Sequence, residues 1–253
     1  PSFWLVNPSG IVVGPGAQFD VPAGLHLATA QQLRFGDGSR WDSGRATASS
    51  LSMAAPDSFG FLGPAAALRW QQAQAVLRPG ATFELAAGEL QLSAAAVSAG
   101  QVRLQAQGAL QLDQGSFVLA SAPPGDTRPV LQLTAGQLAL AGQAALLAYA
   151  DVGAAAGGTG LDVQVSGDAG LREGSAITQL NASAQTPGPL QFKAGSLTLD
   201  GSSGGGGLVN LLTQTTPGSS GGAGALQLQV AGALTLLDGG QIGSDARGSG
   251  PSG

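Results

Sequence analysis

The chain has 253 residues, a formal net charge of -5, 42 glycines, no cysteine and only 10 % charged residues, against 43 % hydrophobic ones. An average soluble domain is about a quarter charged, so the composition points away from a compact enzyme, while hydrophobicity with strand periodicity points away from disorder. Singly scattered basic residues give no stripe for nucleic acid, no apolar run reaches the ~18 residues of a membrane helix, and one histidine without cysteine argues against a zinc site or a Ser-His-Asp triad.

The chain opens with Phe3-Trp4-Leu5-Val6, read as a strand, and then Asn7-Pro8-Ser9-Gly10. That tetrad has turn chemistry: Pro8 fixes φ at the second position, Gly10 supplies freedom at the end, and the Asn7 side chain can bond the backbone two residues on. Next comes Gly24-Leu25-His26-Leu27, where His26 sits between two leucines and is expected to point outward as a surface histidine. The Ala-rich piece from Pro64 to Val76 is the best helix candidate. Trp4, Trp41 and Trp70 all fall in the first third. Packing, or capping of a solenoid end, suits them better than stacking on sugars.

From residue 87 onward one phrase returns: a small residue, Gly, any residue, Leu, any residue, Leu. It appears at Gly88, Gly108, Gly136, Gly195 and Gly232, with a weaker copy at Gly167; the successive steps are 20, 28, 31, 28 and 37 residues. Such a period predicts a solenoid. Within each unit the period is two, as in Leu226-Gln227-Leu228-Gln229-Val230, which predicts strands with one face in and one face out. The fold class is therefore all-β, a right-handed parallel β-helix of about ten coils. Leu90, Leu92, Leu110, Leu112, Leu138, Leu140, Leu197, Leu199, Leu234 and Leu236 are expected to face inward, and glycine at the corners to supply positive φ. Residues 121–129, 153–160, 183–189, 202–207 and 215–224 are Pro, Gly, Ser and Thr rich. They are expected to be loops outside the ladder, emerging from one side and open to proteolysis.

Little chemistry stands out. Gly201-Ser202-Ser203-Gly204-Gly205 and Gly218-Ser219-Ser220-Gly221-Gly222 match the letters of a nucleophile elbow, but no following helix or later histidine supports either. Gly248 to Gly253 matches the letters of a dinucleotide fingerprint and also lacks its helix. Most aspartates, such as Asp37, Asp113, Asp200 and Asp238, adjoin glycine or a Gly-containing turn and read as turn formers. Asp162 and Asp168 are the pair that could converge across coils, with Arg172 nearby. Stacked Asp turns could hold calcium, although Gly239 to Asp245 misses the repeat-in-toxin spacing. No cofactor, metal site or catalytic residue is expected.

The stretch Phe3 to Gly14, with Asn7-Pro8-Ser9-Gly10 at its centre, resembles the Asn-Pro-Asn-Gly element of the two-partner secretion domain, with Ser9 at the third position. Gly14-Pro15-Gly16-Ala17-Gln18-Phe19-Asp20-Val21, Leu33 to Gly38, Phe59 to Gly63 and Leu77 to Leu85 are similar to the same family. The resemblance covers Pro1 to about Leu104; beyond that it is one of repeat style. It implies a filamentous haemagglutinin-like passenger: residues 1–65 as the C-terminal part of a secretion domain and 66–253 as a continuous β-helix shaft. It further implies passage across the periplasm, export through an outer-membrane transporter barrel with periplasmic domains, and adhesion at the cell surface or outside the cell. The receptor, whether host, surface or carbohydrate, is left open. The family's domain begins well before this tetrad. The start at Pro1 and the Gly/Ser run at Gly253 likewise read as cut ends, so a leader segment is undecided. For Asn7 to Gly10 two readings stand, a plain corner turn and an element read by the transporter. The alternative for the whole chain is a carbohydrate-active β-helix enzyme, a polysaccharide lyase or hydrolase.

Overall fold

A computed structural model describes residues 1–44, 53–121, 123–126, 130–202 and 208–251, and these form a parallel β-helix with no helical segment among them. The chain winds through three parallel sheets. The first sheet stacks Ser2–Val6, Gly24–Ala28, Thr82–Ala87, Gln101–Ala106, Leu131–Ala135, Leu161–Val165, Leu190–Ala194 and Leu226–Val230. The second stacks Ile11–Val13, Ala67–Gln71, Glu89–Ser93, Ala109–Asp113, Gln137–Leu140, Asp168–Arg172, Ser196–Asp200 and Leu234–Leu237. The third stacks Gln74–Val76, Ala96–Ala99, Phe117–Ala120, Ala145–Ala150, Ala176–Asn181, Val209–Thr215 and Gly240–Asp245. Each strand returns to its own sheet by crossing the other two, the parallel connection that coils right-handed.

There are eight coils among the described residues, not ten. Each long glycine-to-glycine step is one coil with a lengthened corner, not an extra turn. Register is fixed by like on like: Leu90, Leu110 and Leu138 pair in one column, Leu92, Leu112 and Leu140 in the next. Eight of the ten leucines expected inside are buried, whereas Leu234 and Leu236 are 48 % and 47 % exposed because they line the open end of the last coil. The helix expected from Pro64 to Val76 is instead two strands, Ala67–Gln71 and Gln74–Val76. Leu68 and Trp70 point inward around an exposed Arg69, and the Trp70 Nε1–H donates to the Ala73 carbonyl at 2.9 Å. Ladder pairing on both sides overrides alanine's helix preference.

The repeated glycine has a reason other than the one expected. Gly88, Gly108, Gly136, Gly167, Gly195 and Gly232 stack at the corner between the first and second sheets, and none has positive φ. From Gly108 on, each donates its N–H to the carbonyl of the glycine one coil earlier, at 2.7–2.8 Å. A Cβ on Gly136 would lie 2.9 Å from the Gln107 carbonyl oxygen and 3.0 Å from that of Gly108. Close backbone approach excludes a side chain here. Positive φ belongs to the next corner, where Gln114-Gly115, Gly142-Gln143, Glu173-Gly174 and Asp238-Gly239 turn the chain into the third sheet.

Of the five spacers, residues 203–207 and residues 122 and 127–129 lie outside the described residues. The remainder lie outside the ladder, apart from Thr215, which ends its strand. The described parts of 121–129, together with 153–160, 183–189 and 215–224, share one corner, between the third and first sheets. They do not bristle outward as loose loops. Gly157 N–H donates to the Thr186 carbonyl (3.0 Å), Gly221 N–H to Ser183 (3.1 Å) and Ser249 N–H to Ser219 (2.9 Å), so successive spacers form a stacked wall. One excursion leaves the solenoid altogether. Gln32–Phe35, Arg40–Asp42 and Pro56–Gly60 form a three-stranded antiparallel sheet, and the half-buried Phe59 and Phe61 pack against Ala28, Ala30 and Ala86 of the first sheet's neighbourhood.

Candidate functional site

Asn7 to Gly10 joins the first strands of the first and second sheets. Gly10 N–H donates to the Asn7 carbonyl at 3.1 Å, closing a β-turn, and Ser9 N–H donates to Asn7 Oδ1 at 3.1 Å. Asn7 and Ser9 are exposed, and Pro8 is half-buried. Gly10 has φ +116°, and a Cβ there would also crowd the Ala67 carbonyl oxygen at 3.3 Å. Asn7 N–H is anchored to the Ala28 carbonyl (2.9 Å), so the turn is held to the second coil. The four residues thus form one rigid exposed corner.

Beside this turn lies the excursion sheet. An open groove of about 830 Å³ separates them, with Pro8 and Ser9 on one side and Gln31, Gln32, Arg40 and Asp42 on the other. Gln32 Nε2–H donates to Asp42 Oδ2 at 3.4 Å, and Ser43 Oγ–H to the Gln31 carbonyl at 3.1 Å, so the far wall is tied together.

His26 departs from expectation. Its side chain does point outward from the strand, but it is only 7 % exposed. Trp4 stacks on it with ring centroids 3.8 Å apart and planes 1° from parallel, Phe59 of the excursion sheet lies 5.1 Å from Trp4, and His26 Nδ1 is 2.6 Å from Glu84 Oε2. The excursion sheet converts an outer face into an interior one, which sequence alternation alone cannot show. Of the other tryptophans, Trp70 is fully buried and T-stacked on Phe83 at 5.2 Å, while Trp41 is half-buried in the excursion sheet.

The acidic pair does not converge. Asp162 is on the first sheet and Asp168 on the second, separated by the corner at Gly167. Asp162 takes hydrogen bonds from Gln164 (3.1 Å) and Asp168 one from Ser196 Oγ–H (2.7 Å), while Arg172 Nε is 3.7 Å from Glu173. No group of three His, Asp or Glu residues able to hold a metal occurs among the described residues. Two carboxyls are held below the ordinary value: Asp200 by hydrogen bonds from the Ser202 side chain and backbone, and Asp245 by hydrogen bonds from Gln214 and Arg247. Gly201 to Gly205 and Gly248 to Gly253 fall partly outside the described residues. In the other elbow-like phrase the central Ser220 is exposed, while Ser219 before it is buried and donates its hydroxyl to the Ser183 carbonyl at 2.7 Å.

One feature escaped the sequence reading, a polar layer inside the solenoid. Gln179, Asn181, Thr213 and Thr215 occupy inward positions of the third sheet, with Gln179 paired to Thr213 and Asn181 to Thr215. Asn181 Nδ2–H donates to the Gln185 (2.9 Å) and Gly222 (2.8 Å) carbonyls, and its Oδ1 accepts from Ser183 N–H (2.9 Å). Gln179 Nε2–H donates to the Gly188 carbonyl at 2.6 Å. These amides clamp the spacer wall to the shaft. The signal was present in Ile177-Thr178-Gln179-Leu180-Asn181, where period two puts both amides in phase with Ile177.

Compared with models of known families, with curated proteins and with solved structures, the chain matches none.

Proposed function

We propose that the chain is the rod of a filamentous haemagglutinin-like adhesin, exported by two-partner secretion and acting at the bacterial surface or outside the cell. The observation that carries this reading is the Asn7-Pro8-Ser9-Gly10 tetrad, whose family likeness coincides with an exposed, hydrogen-bonded corner on the first coils. In this reading, the outer-membrane transporter engages that corner during export, and the β-helix behind it serves as a spacer presenting its corners for attachment. A shaft that gains stability coil by coil suits a protein that crosses a membrane unfolded and folds on emergence. The enzymatic alternative has less behind it, because Asp162 and Asp168 lie on different sheets.

The test is secretion of the full-length protein carrying Asn7→Ala, measured beside its thermal melt. Losing the Ser9 N–H bond to Asn7 Oδ1 costs ~0.5–1.5 kcal/mol locally, which eight coils absorb with little change in melting. Secretion is expected to fall while the melt holds. Normal secretion with an unchanged melt reduces the tetrad to a corner turn. A full reading frame with no adjoining transporter gene also counts against the proposal.

A further inference from the structure

The outer faces of the three sheets differ in chemistry. Those of the first and second sheets carry charge: Glu84, Arg103, Asp162 and Lys193 on one, Arg69, Glu89, Asp113, Asp168 and Arg172 on the other. The third sheet has no charged residue in any strand from Gln74–Val76 to Val209–Thr215. Its outward positions are mostly apolar, with Gln74, Ser98, Thr178, Asn210 and Gln214 as polar exceptions and Asp245 outward at the end of the last strand, Gly240–Asp245. Val76, Ser98, Leu119, Leu147, Thr178 and Leu212 form one continuous column in register. Phe117 flanks it on one side, and the paired Tyr149 and Leu180 on the other. Val118, Leu146, Ile177 and Leu211, the intervening residues, are fully buried, so the column does not belong to the core. Val76 is 73 % and Phe117 41 % exposed. The excursion sheet packs over the first sheet, not this one.

A half-buried strand normally alternates apolar inside with polar outside. A face apolar on both sides is the pattern of a sheet that has another sheet against it. We infer that the outer face of the third sheet is a self-association surface, on which the same face of a second copy packs across a two-fold axis. Charge selects this occupant. Two copies of a chain with net charge -5 repel each other wherever charged faces meet, and among the described residues this sheet face carries the least charge, with Asp245 at its last strand. A flat, self-similar surface also suits an isologous contact. Six strands at ~4.8 Å spacing and about five residues at ~3.3 Å give roughly 400 Å² of flat face per copy, before side-chain relief. The pair then buries about 800 Å², below the ~1,200 Å² at which stable specific interfaces begin, which means a weak, concentration-dependent dimer. Two rods joined in this way leave their first and second sheets, and the corner at Asn7 to Gly10, open.

Sedimentation velocity of the chain from low micromolar to near-millimolar concentration reads this directly. Wild type is expected to shift from monomer to dimer. Leu147→Lys and Leu212→Lys each place a charge on the face without touching the core. Each is expected to keep the wild-type circular dichroism and melt and to weaken dimerisation at least tenfold. Leu237→Lys, in the last coil away from this face, is expected to dimerise as wild type does. A chain that stays monomeric throughout the range overturns the inference. So does a dimer that survives both face variants but is lost with Leu237→Lys, which would mean that copies meet end to end.

Discussion

Replacing Gly136 by alanine tests whether close backbone approach explains the repeated glycine. The new Cβ would sit 2.9 and 3.0 Å from two carbonyl oxygens of the preceding coil and 3.2 Å from the Gly108 Cα. Relief requires that corner to open by a few tenths of an ångström. Two intercoil bonds then stretch, Gly136 N–H to the Gly108 carbonyl and Gly167 N–H to the Gly136 carbonyl, both 2.8 Å. Overpacking of this kind costs ~1–3 kcal/mol, and each weakened bond adds some part of ~1 kcal/mol. Against this stands the reduced freedom of the unfolded chain, which favours alanine by ~0.4–1 kcal/mol. The net expectation is a destabilisation of about 1–3 kcal/mol by urea unfolding at unchanged m-value. Gly170→Ala supplies the control. Gly170 lies mid-strand on the second sheet, has no positive φ, and a Cβ there meets nothing within 4 Å. The same chemical change is expected there to be neutral or stabilising by up to ~1 kcal/mol, since glycine in a strand interior is itself a cost. If the two variants lose stability equally, close approach is not what selects glycine at the corner.

Asn181→Ala removes three buried hydrogen bonds to the spacer backbone; with each stranded group costing ~1–3 kcal/mol, a loss of at least ~3 kcal/mol is expected in urea unfolding, with proteolysis of residues 183–189 accelerated. Glu84→Gln keeps the shape but removes the charge facing His26 in the part-buried contact; the excursion sheet is expected to loosen, read as faster amide exchange in Gln32–Phe35 and Pro56–Gly60 and as altered fluorescence of the stacked Trp4, while unchanged exchange would mean that Phe59 and Phe61 hold it unaided. Asp245 titrates below its ordinary 3.8 in the folded chain, so its contribution is fully present above that value and is lost as pH falls through the lower native one. Asp245→Asn is therefore expected to lower the melt slightly at pH 7, where solvent screens the contact, and to flatten its fall below about pH 4, the two chains converging in acid.

How much was legible in the sequence follows from which forces act within a coil and which act between coils. The Leu-x-Leu phrase has period two, and ladder pairing sets each copy over the last, so strands, inward leucines and architecture could all be read directly. The coil count could not, because a step of 37 residues and one of 20 both make one turn, and only the stacked backbone shows that the excess lies in corners. The glycine phrase was visible, but its cause was not: positive φ and close approach leave the same letter, and distances to the coil before it decide between them. His26 shows the same limit. Alternation put it outside the strand correctly, and then Trp4 stacked over it, with Phe59, more than thirty residues on, packed against Trp4.

The polar interior of the later coils is the harder case, because the alternation rule marks those positions but does not say why polarity is tolerated there. At the third sheet's end the inward column runs from Ala148 to Gln179 to Thr213. The change from methyl to amide comes after the spacers have lengthened, since Ala120 and Ala148 already stand before long corners; it marks the coils in which spacer carbonyls turn toward the interior. Spacer backbone brought into the interior carries N–H and C=O groups that no ladder satisfies. Asn181 and Gln179 supply donors to the Gln185, Gly222 and Gly188 carbonyls, so the polar side chains are there because these corners present carbonyls to the interior. The short first repeat, with Val97 and Ala99 inward at the same place, has no such wall and needs no amide. In these later coils the spacer and the amides that hold it are therefore coupled. Shortening the spacer at 183–189 without also replacing Gln179 and Asn181 by apolar residues should leave two buried amides unpaired, and should cost more stability than the paired change.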